Sequence, residues 1–345
     1  MIYELEQQNY QKVLPLLKSD NELSVFSVMN CIMDGNIYVN DPLLPTAVLI
    51  QTSECNLIAG DTGDVRFNEG IAEVLDFWDT ITPDSEEWCD IIPKVHEDKF
   101  IRKYQRRRYV LNIENYQGMD SSLPNGFVLE QVVPDTLRTC GYRNADELLE
   151  WIGNWGSDDN FTTYGIGAYI RNQDTIVSWS ISDCVYKEKI AIGITTDENY
   201  RKKGFAKIVV NEVIRLCEQK GYKQIEWLCV DCNKGSIAIA EKVGFLFHNN
   251  YDSFAPYAPV ENLMDLSEQE WEEWAEYFEE SAKSEVRLLP ECIYSYVKAN
   301  NPQKTRELLM TCQNKHEMET SIQNFISYLH KIEMASNFYD IETVE

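Results

Sequence analysis

Six consecutive residues, Arg201, Lys202, Lys203, Gly204, Phe205 and Ala206, carry the clearest chemistry in the sequence. They follow a run alternating Ile190, Ile192 and Ile194, which predicts a strand over 189–196. They open a stretch with Ala206, Val209, Val213, Leu216 and Cys217 on one face, which predicts a helix over 204–220 stopped by Gly221. A helix starting there leaves its first N–H groups unpaired and presents the positive end of its dipole. A glycine lets the backbone close on a ligand, and the basic side chains add charge, so the chemistry is that of a phosphate site. The segment is neither a Walker A loop, which needs Gly-Lys-Ser/Thr, nor the three-glycine dinucleotide fingerprint.

Other reactive side chains are less ordered. Cys229 and Cys232 stand at C-x-x-C spacing, but zinc would need a second pair or suitably spaced histidines. His96, His248, His316 and His330 are isolated, so no metal is expected and the cysteines read as packing. Ten cysteines scattered over 345 residues do not form a disulfide framework. Thiols in apolar runs, such as Cys31, Cys184 and Cys217, fit a reduced chain. Lys99, Arg102, Lys103, Arg106, Arg107 and Arg108, interleaved with Phe100, Tyr104 and Tyr109, have the composition of a nucleic-acid contact. Lys and Arg number 31 against 57 Asp and Glu, however, a net charge of −26 that disfavours nucleic acid and anionic membranes. The cluster therefore reads as a solvated helix face leading into a strand over 110–113. The charge favours a cationic small partner or simple solubility, without deciding between them. No apolar run approaches the roughly 18 residues of a membrane span. Residues 1–6 lack a signal peptide's basic start, so a cytoplasmic location is expected.

The elements that must position the anion loop fall into three blocks. Apolar content of 44% with 26% charged residues is that of a folded chain rather than a disordered acidic one. Residues 1–118 predict a helix near Pro15, short strands over 37–39, 46–51 and 56–59, and a helix over 69–78. After a linker with Gly118, Pro124 and Gly126, residues 126–262 alternate strands and helices. Strands are predicted over 127–133, 163–170, 175–183, 189–196, 224–230 and 245–251, with helices over 146–155, 204–220 and 236–242. Residues 263–345 predict a helical extension. Ser267 and Glu270 make a capping box ahead of a stripe of Trp271, Trp274 and Phe278, and Asn301-Pro302 starts another helix. That stripe must pack on something, and the expectation is a helical cap without catalytic groups.

Strand, Arg-x-x-Gly-x-Ala loop, long helix, strand, then Asn233-x-x-Ser236 and Ala240-Glu241-Lys242-Val243-Gly244-Phe245: this order resembles the acetyl-CoA-binding core of the GNAT N-acetyltransferase superfamily. Trp227 and Cys229 ahead of Asn233 and Ser236 look closest to its zwittermicin-resistance type, in which a GNAT-like half without its own loop precedes the active half. The resemblance implies a GNAT-like mixed α/β sheet flanked by helices over 126–262, preceded by a degenerate GNAT-like domain in 1–118. It implies acetyl-CoA as co-substrate, with its pantetheine arm along Ile194, Thr195 and Thr196. The pyrophosphate would lie on Arg201, Lys202, Lys203, Gly204, Phe205 and Ala206, with Asn233 and Ser236 beside the arm.

The implied activity is transfer of an acetyl group to a small amine by direct attack. Candidate bases are Asp183 and Glu188, flanking the turn before the 189–196 strand. The position that often carries a tyrosine acid is Ala240, for which Tyr251 or Tyr257 could substitute. A thiol of pKa about 8.5 leaves without full protonation, so the departure weakens the catalytic reading without cancelling it. A non-catalytic CoA-binding or protein-interaction module is the alternative. The acceptor and the oligomeric state are not written in the sequence.

Overall fold

The computed structural model describes residues 2–75, 79–95, 102–118, 122–231, 233–255, 267–283 and 289–313. The chain separates into two compact units, Met1–Glu261 and Asn262–Glu345.

In the first unit the chain runs through β1 (Tyr3–Glu4), α1 (Leu23–Met29), β2 (Asn36–Val39), β3 (Ala47–Gln51), β4 (Asn56–Gly60), α2 (Val65–Val74), β5 (Ile81–Pro83), α3 (Glu86–Val95) and β6 (Arg102–Asn112). It continues with β7 (Phe127–Gln131), α4 (Pro134–Cys140), α5 (Ala145–Gly153), α6 (Asp158–Tyr164), β8 (Gly167–Asn172), β9 (Thr175–Tyr186), β10 (Lys189–Thr196), α7 (Phe205–Lys220), β11 (Gln224–Val230), α8 (Lys234–Val243) and β12 (Leu246–Ala255). Local sequence explains the elements nearest the anion loop. In α7, Ile208, Val209, Val213, Ile214 and Cys217 form the buried stripe, and Gly221 at φ +92° ends it in the left-handed conformation that glycine adopts at no steric cost. Cys184 and Cys217 are buried as expected, whereas Cys31 is exposed.

The twelve strands among the described residues join one mixed sheet in the order β1-β2-β3-β4-β5-β12-β6-β11-β10-β9-β8-β7. Its pairings repeat. From β1 to β5 they run antiparallel three times and then parallel, and β7 to β11 do the same. Each parallel pair is bridged by a helical crossover, α2 in the first run and α7 in the second, as parallel strands require. The sixth strand of each run crosses over: β6 pairs with β11, β12 with β5, and the two pair with each other in the middle. The result is a mixed α/β sheet flanked by helices, with two related halves interlocked through their last strands.

β6 departs from the expected helix face. Arg102, Lys103, Arg106, Arg107 and Arg108 lie on a continuous strand, where Lys103 and Arg108 find carboxylates across the sheet, and Lys99 lies outside the described residues. Arg108, 2% exposed, donates Nε to Glu226 Oε2 at 3.0 Å and Nη2 to Oε1 at 2.7 Å, and its Nη1 reaches Asp20 at 3.0 Å. Lys103 pairs with Asp252 of β12 at 2.6 Å. A forked guanidinium–carboxylate pair satisfies both buried groups, which lets two charges stand in a central strand pair.

The helix that follows β4 begins differently from α7. Asp64 caps α2, accepting the Phe67 N–H at 3.0 Å. The Asn40 amide and that N–H hold its carboxyl below the usual range. Asp64→Ala is expected to cost about 1 kcal/mol of stability in urea unfolding, the usual worth of such a cap. A loss below about 0.3 kcal/mol would show the cap to be idle.

The second unit contains α9 (Glu268–Ser281), α10 (Leu289–Lys298) and α11 (Pro302–Gln313). Trp271, Trp274 and Phe278 are all buried. Cys292 Sγ of α10 meets the Ala275 carbonyl at 3.6 Å, and Lys304 of α11 pairs with Glu279 of α9 at 2.7 Å. Asn301 caps α11, accepting the Lys304 N–H at 3.2 Å. The stripe centred on Met318 and Ile322 lies outside the described residues.

Candidate functional site

The parallel ladder between β10 and β11 is short. Lys189, Ile190 and Ala191 pair with Gln224, Ile225 and Glu226, and there it ends. Beyond that point β11 continues to Val230 against β6, and β10 continues to Thr196 against β9. The edge of β10 from Ile192 to Thr196 therefore faces a cleft, with its peptide groups on that side open to a ligand. On the β9 side the strand is held firmly. Ser180 Oγ donates to the Gly193 carbonyl at 2.8 Å, and Ser178 Oγ to the Thr195 carbonyl at 3.2 Å. Of the predicted cofactor residues, Ile194, Thr195 and Thr196 lie on this edge.

The strand runs straight into the anion loop. Tyr200 N closes a turn on the Asp197 carbonyl at 2.8 Å, Arg201 Nε donates to the Thr196 carbonyl at 3.3 Å, and Lys203 Nζ donates to the Asn199 carbonyl at 2.8 Å. Lys202 at φ +62° and Gly204 at φ +86° bend the backbone left-handed, and α7 starts on Phe205 with no side-chain cap. A Cβ built on Gly204 would meet nothing within 4 Å. The helix N-terminus is thus open and ringed by three exposed cations, which fits a pyrophosphate. The equivalent loop of the first half is closed by its own acids. Asp61 Oδ1 accepts the Gly63 N–H at 2.9 Å and Asp64 accepts that of Phe67, so carboxylates occupy the place of an anion.

Asn233 and Ser236 stand across the cleft at the start of α8. Asn233 Oδ1 accepts the Ser236 N–H at 2.9 Å, capping the helix, and the Trp227 indole donates to Ser236 Oγ at 2.8 Å. Ala240 is fully buried.

The acid candidates divide sharply. Asp183 lies inside β9 rather than beside the turn. Ala191 pairs with Cys184 and Ile192 with Ser182, so Asp183 is the extra residue of a bulge. The bulge sits where β10 and β11 part, and it aims the carboxylate at Gly193: a Cβ there would come to 3.0 Å from Asp183 Oδ1. Glu188 does not join this group. It is exposed in the β9–β10 turn, ion-paired with Lys223, about 13 Å from Ile192 at the rise of a strand. Tyr251 is also removed from the role considered for it, because its buried hydroxyl donates to Glu22 Oε1 at 2.8 Å. Tyr257 and Cys232 lie outside the described residues.

The structure adds residues that the sequence reading passed over. The Trp151 ring of α5 covers Gly193, where any Cβ would collide with it. It meets Trp179 of β9 edge-on at 4.9 Å between centroids. Glu147 of α5 is raised by desolvation, against the Trp179 indole that hydrogen-bonds it. A lone glycine inside an isoleucine-alternating strand is the signal that could have found this close approach. Among the described residues no group of acids, cysteines or histidines is arranged to hold a metal, and no helix is long and apolar enough to cross a membrane.

The chain is similar to known proteins in sequence and in fold. A family model described as GNAT acetyltransferase matches residues 14–254, more than two thirds of the chain. The chain is 27% identical over 230 residues to the uncharacterized N-acetyltransferase YdfB of Bacillus subtilis (strain 168), a match spanning 64% of this chain and 85% of that protein. Its fold resembles a GCN5-related N-acetyltransferase-like protein from Streptococcus suis 89/1591, with a TM-score of 0.57 and 22% identity over 72% of this chain and 98% of the other.

Proposed function

Because the chain belongs to the GNAT acetyltransferase family, we propose that it moves an acetyl group from acetyl-CoA to a small amine by direct attack at the cleft between β10 and β11. The observation that carries the reading is a single continuous feature: the open edge of β10 leading into the uncapped, cation-ringed start of α7. The bound thioester supplies an acyl carbon open to a neutral amine. Peptide groups of Ile192 to Thr196 orient the pantetheine arm, and an N–H on that edge is placed to polarise the thioester carbonyl. The amides from Lys202 to Ala206 hold the pyrophosphate. Asp183, at the bulge beside Gly193, accepts the proton released by the amine. Asn233 and Ser236, fixed by each other and by Trp227, form the opposite wall. The first half serves as a degenerate companion whose own anion loop is filled.

One experiment tests both donor and stoichiometry. Calorimetric titration with acetyl-CoA is expected to give one site per chain, followed by thiol release when amines are added. A stoichiometry of two would mean that the Asp61–Asp64 loop also takes a cofactor. Binding without turnover across an amine panel would favour a CoA-binding module, the outcome to which Ala240, with no hydroxyl to act as an acid, gives some weight.

A further inference from the structure

Residues 20–29 of the first half lie across the face of the sheet that carries Asp183. Phe26 of α1 stacks on Tyr186 of β9 at 4.9 Å, and Ser27 Oγ accepts the Val185 N–H at 2.9 Å. At the other end of the same segment, Glu22 receives the Tyr251 hydroxyl from β12, and Asp20 reaches Arg108 of β6 and Lys189 of β10. Register places these groups on one face. Lys189, Ala191 and Gly193 alternate to the same side of β10, Cys184 stands opposite Ala191, and Tyr251 stands opposite Arg106, two residues from Arg108. Arg106 pairs with Val230, at the end of β11 where the cleft is open.

Glu54 joins the same place from the β3–β4 turn. Its N–H donates to Thr52 Oγ1 at 3.1 Å, and Thr52 donates to Ser24 Oγ at 3.0 Å in the first turn of α1. The Asp20–Glu226 pair is matched by Arg108 and Lys189, and Glu22 and Glu54 both feel Arg106. Glu22 is 1% exposed, and its Oε2 is buried with no hydrogen-bond partner. Burial pushes the carboxyls of Glu22 and Glu54 up against the pull of Arg106. The Cys184 thiol, raised first by burial, is raised further by Asp183, Glu54, Glu22 and Glu226, so all four carboxylates act on a residue opposite Ala191, where the parallel ladder ends. A buried carboxylate oxygen without a donor is costly unless a ligand supplies one.

We propose that the first half completes the acceptor side of the second half's cleft, with Glu22 and Glu54 binding the second positive charge of an aliphatic diamine whose other nitrogen is acetylated. This rests on the acetyltransferase reading above. The reacting nitrogen, in its neutral form, makes the N–C bond as the C–S bond breaks. Its proton passes to Asp183, and the sulfur keeps the electron pair. The remote ammonium stays charged and donates to the carboxylates.

The test is a series of α,ω-diaminoalkanes from about three to eight carbons, set against n-alkylamines of equal length, with thiol release as the readout. At least one diamine should exceed its monoamine about ten-fold or more in kcat/KM, the range of a hydrogen bond to a charged group. Glu54→Gln and Glu22→Gln should each bring that ratio to within about three-fold of one, with acetyl-CoA affinity and melting temperature kept. Where Glu22→Gln fails to fold, the half-buried Glu54 carries the comparison. Equal turnover of diamines and monoamines by the unaltered protein, an unchanged ratio in the folded variants, or acetyl-CoA binding without acetylation of any diamine overturns this inference. Failure to bind acetyl-CoA at all overturns the acetyltransferase reading instead.

Discussion

Gly204→Val is expected to weaken acetyl-CoA binding by about 100-fold or more, which corresponds to about 2.7 kcal/mol. Two causes act together. At φ +86° a branched side chain strains the backbone by roughly 1–2 kcal/mol, pulling the first turn of α7 out of its open geometry. The side chain would also project into the empty space in front of that turn, where a pyrophosphate needs to approach the amides. The unliganded protein has room for the atoms, since a Cβ meets nothing within 4 Å, so the fold should survive. Gly204→Ala separates the causes: it keeps most of the backbone strain with little of the bulk, and its loss should be smaller. Calorimetry is the check. Affinity unchanged in Gly204→Val would mean that the pyrophosphate does not lie on this loop.

That loop was readable because everything defining it is local. A glycine, three cations and a 3.6-residue apolar stripe closed by Gly221 lie within 21 consecutive residues, 201–221. The two-residue period of Ile190, Ile192 and Ile194 likewise revealed β10. What failed depended on partners far away in the chain. The basic run around Arg106 and Arg108 looked like a helix face because charge usually marks solvent. Its strand is sustained by Glu226, 118 residues away, and by Asp252. The exchange of β6 and β12 between the halves follows from register, which no periodicity encodes. The capping of α2 by Asp64 was passed over for the same reason that the first half was read only as lacking a glycine loop: an anion site can be lost through an added carboxylate as well as through a missing glycine.

Asp183 shows the limit most clearly, and it carries the other large effect. Sequence alone put it beside a turn, equivalent to Glu188, because a bulge cannot be seen without its partner strand. In the structure the two acids differ in position and in partners. Asp183 sits where β10 and β11 part, beside Gly193 and under the Trp151 ring, while Glu188 is exposed and engaged by Lys223 at the closed end of the pair. Asp183→Asn preserves the shape of the bulge and removes only the proton acceptor. It is expected to lower kcat by about 100- to 1,000-fold, within the usual worth of a positioned base, with acetyl-CoA affinity unchanged. Because the lost step is uptake of the proton that the amine releases as the N–C bond forms, activity should recover as pH rises and hydroxide takes that proton instead. Glu188→Gln should stay within about two-fold of the unaltered protein, since an exposed ion pair contributes little. If Asp183→Asn keeps its kcat at neutral pH, the proton leaves the attacking amine by another route, and the bulge carboxylate is not the base.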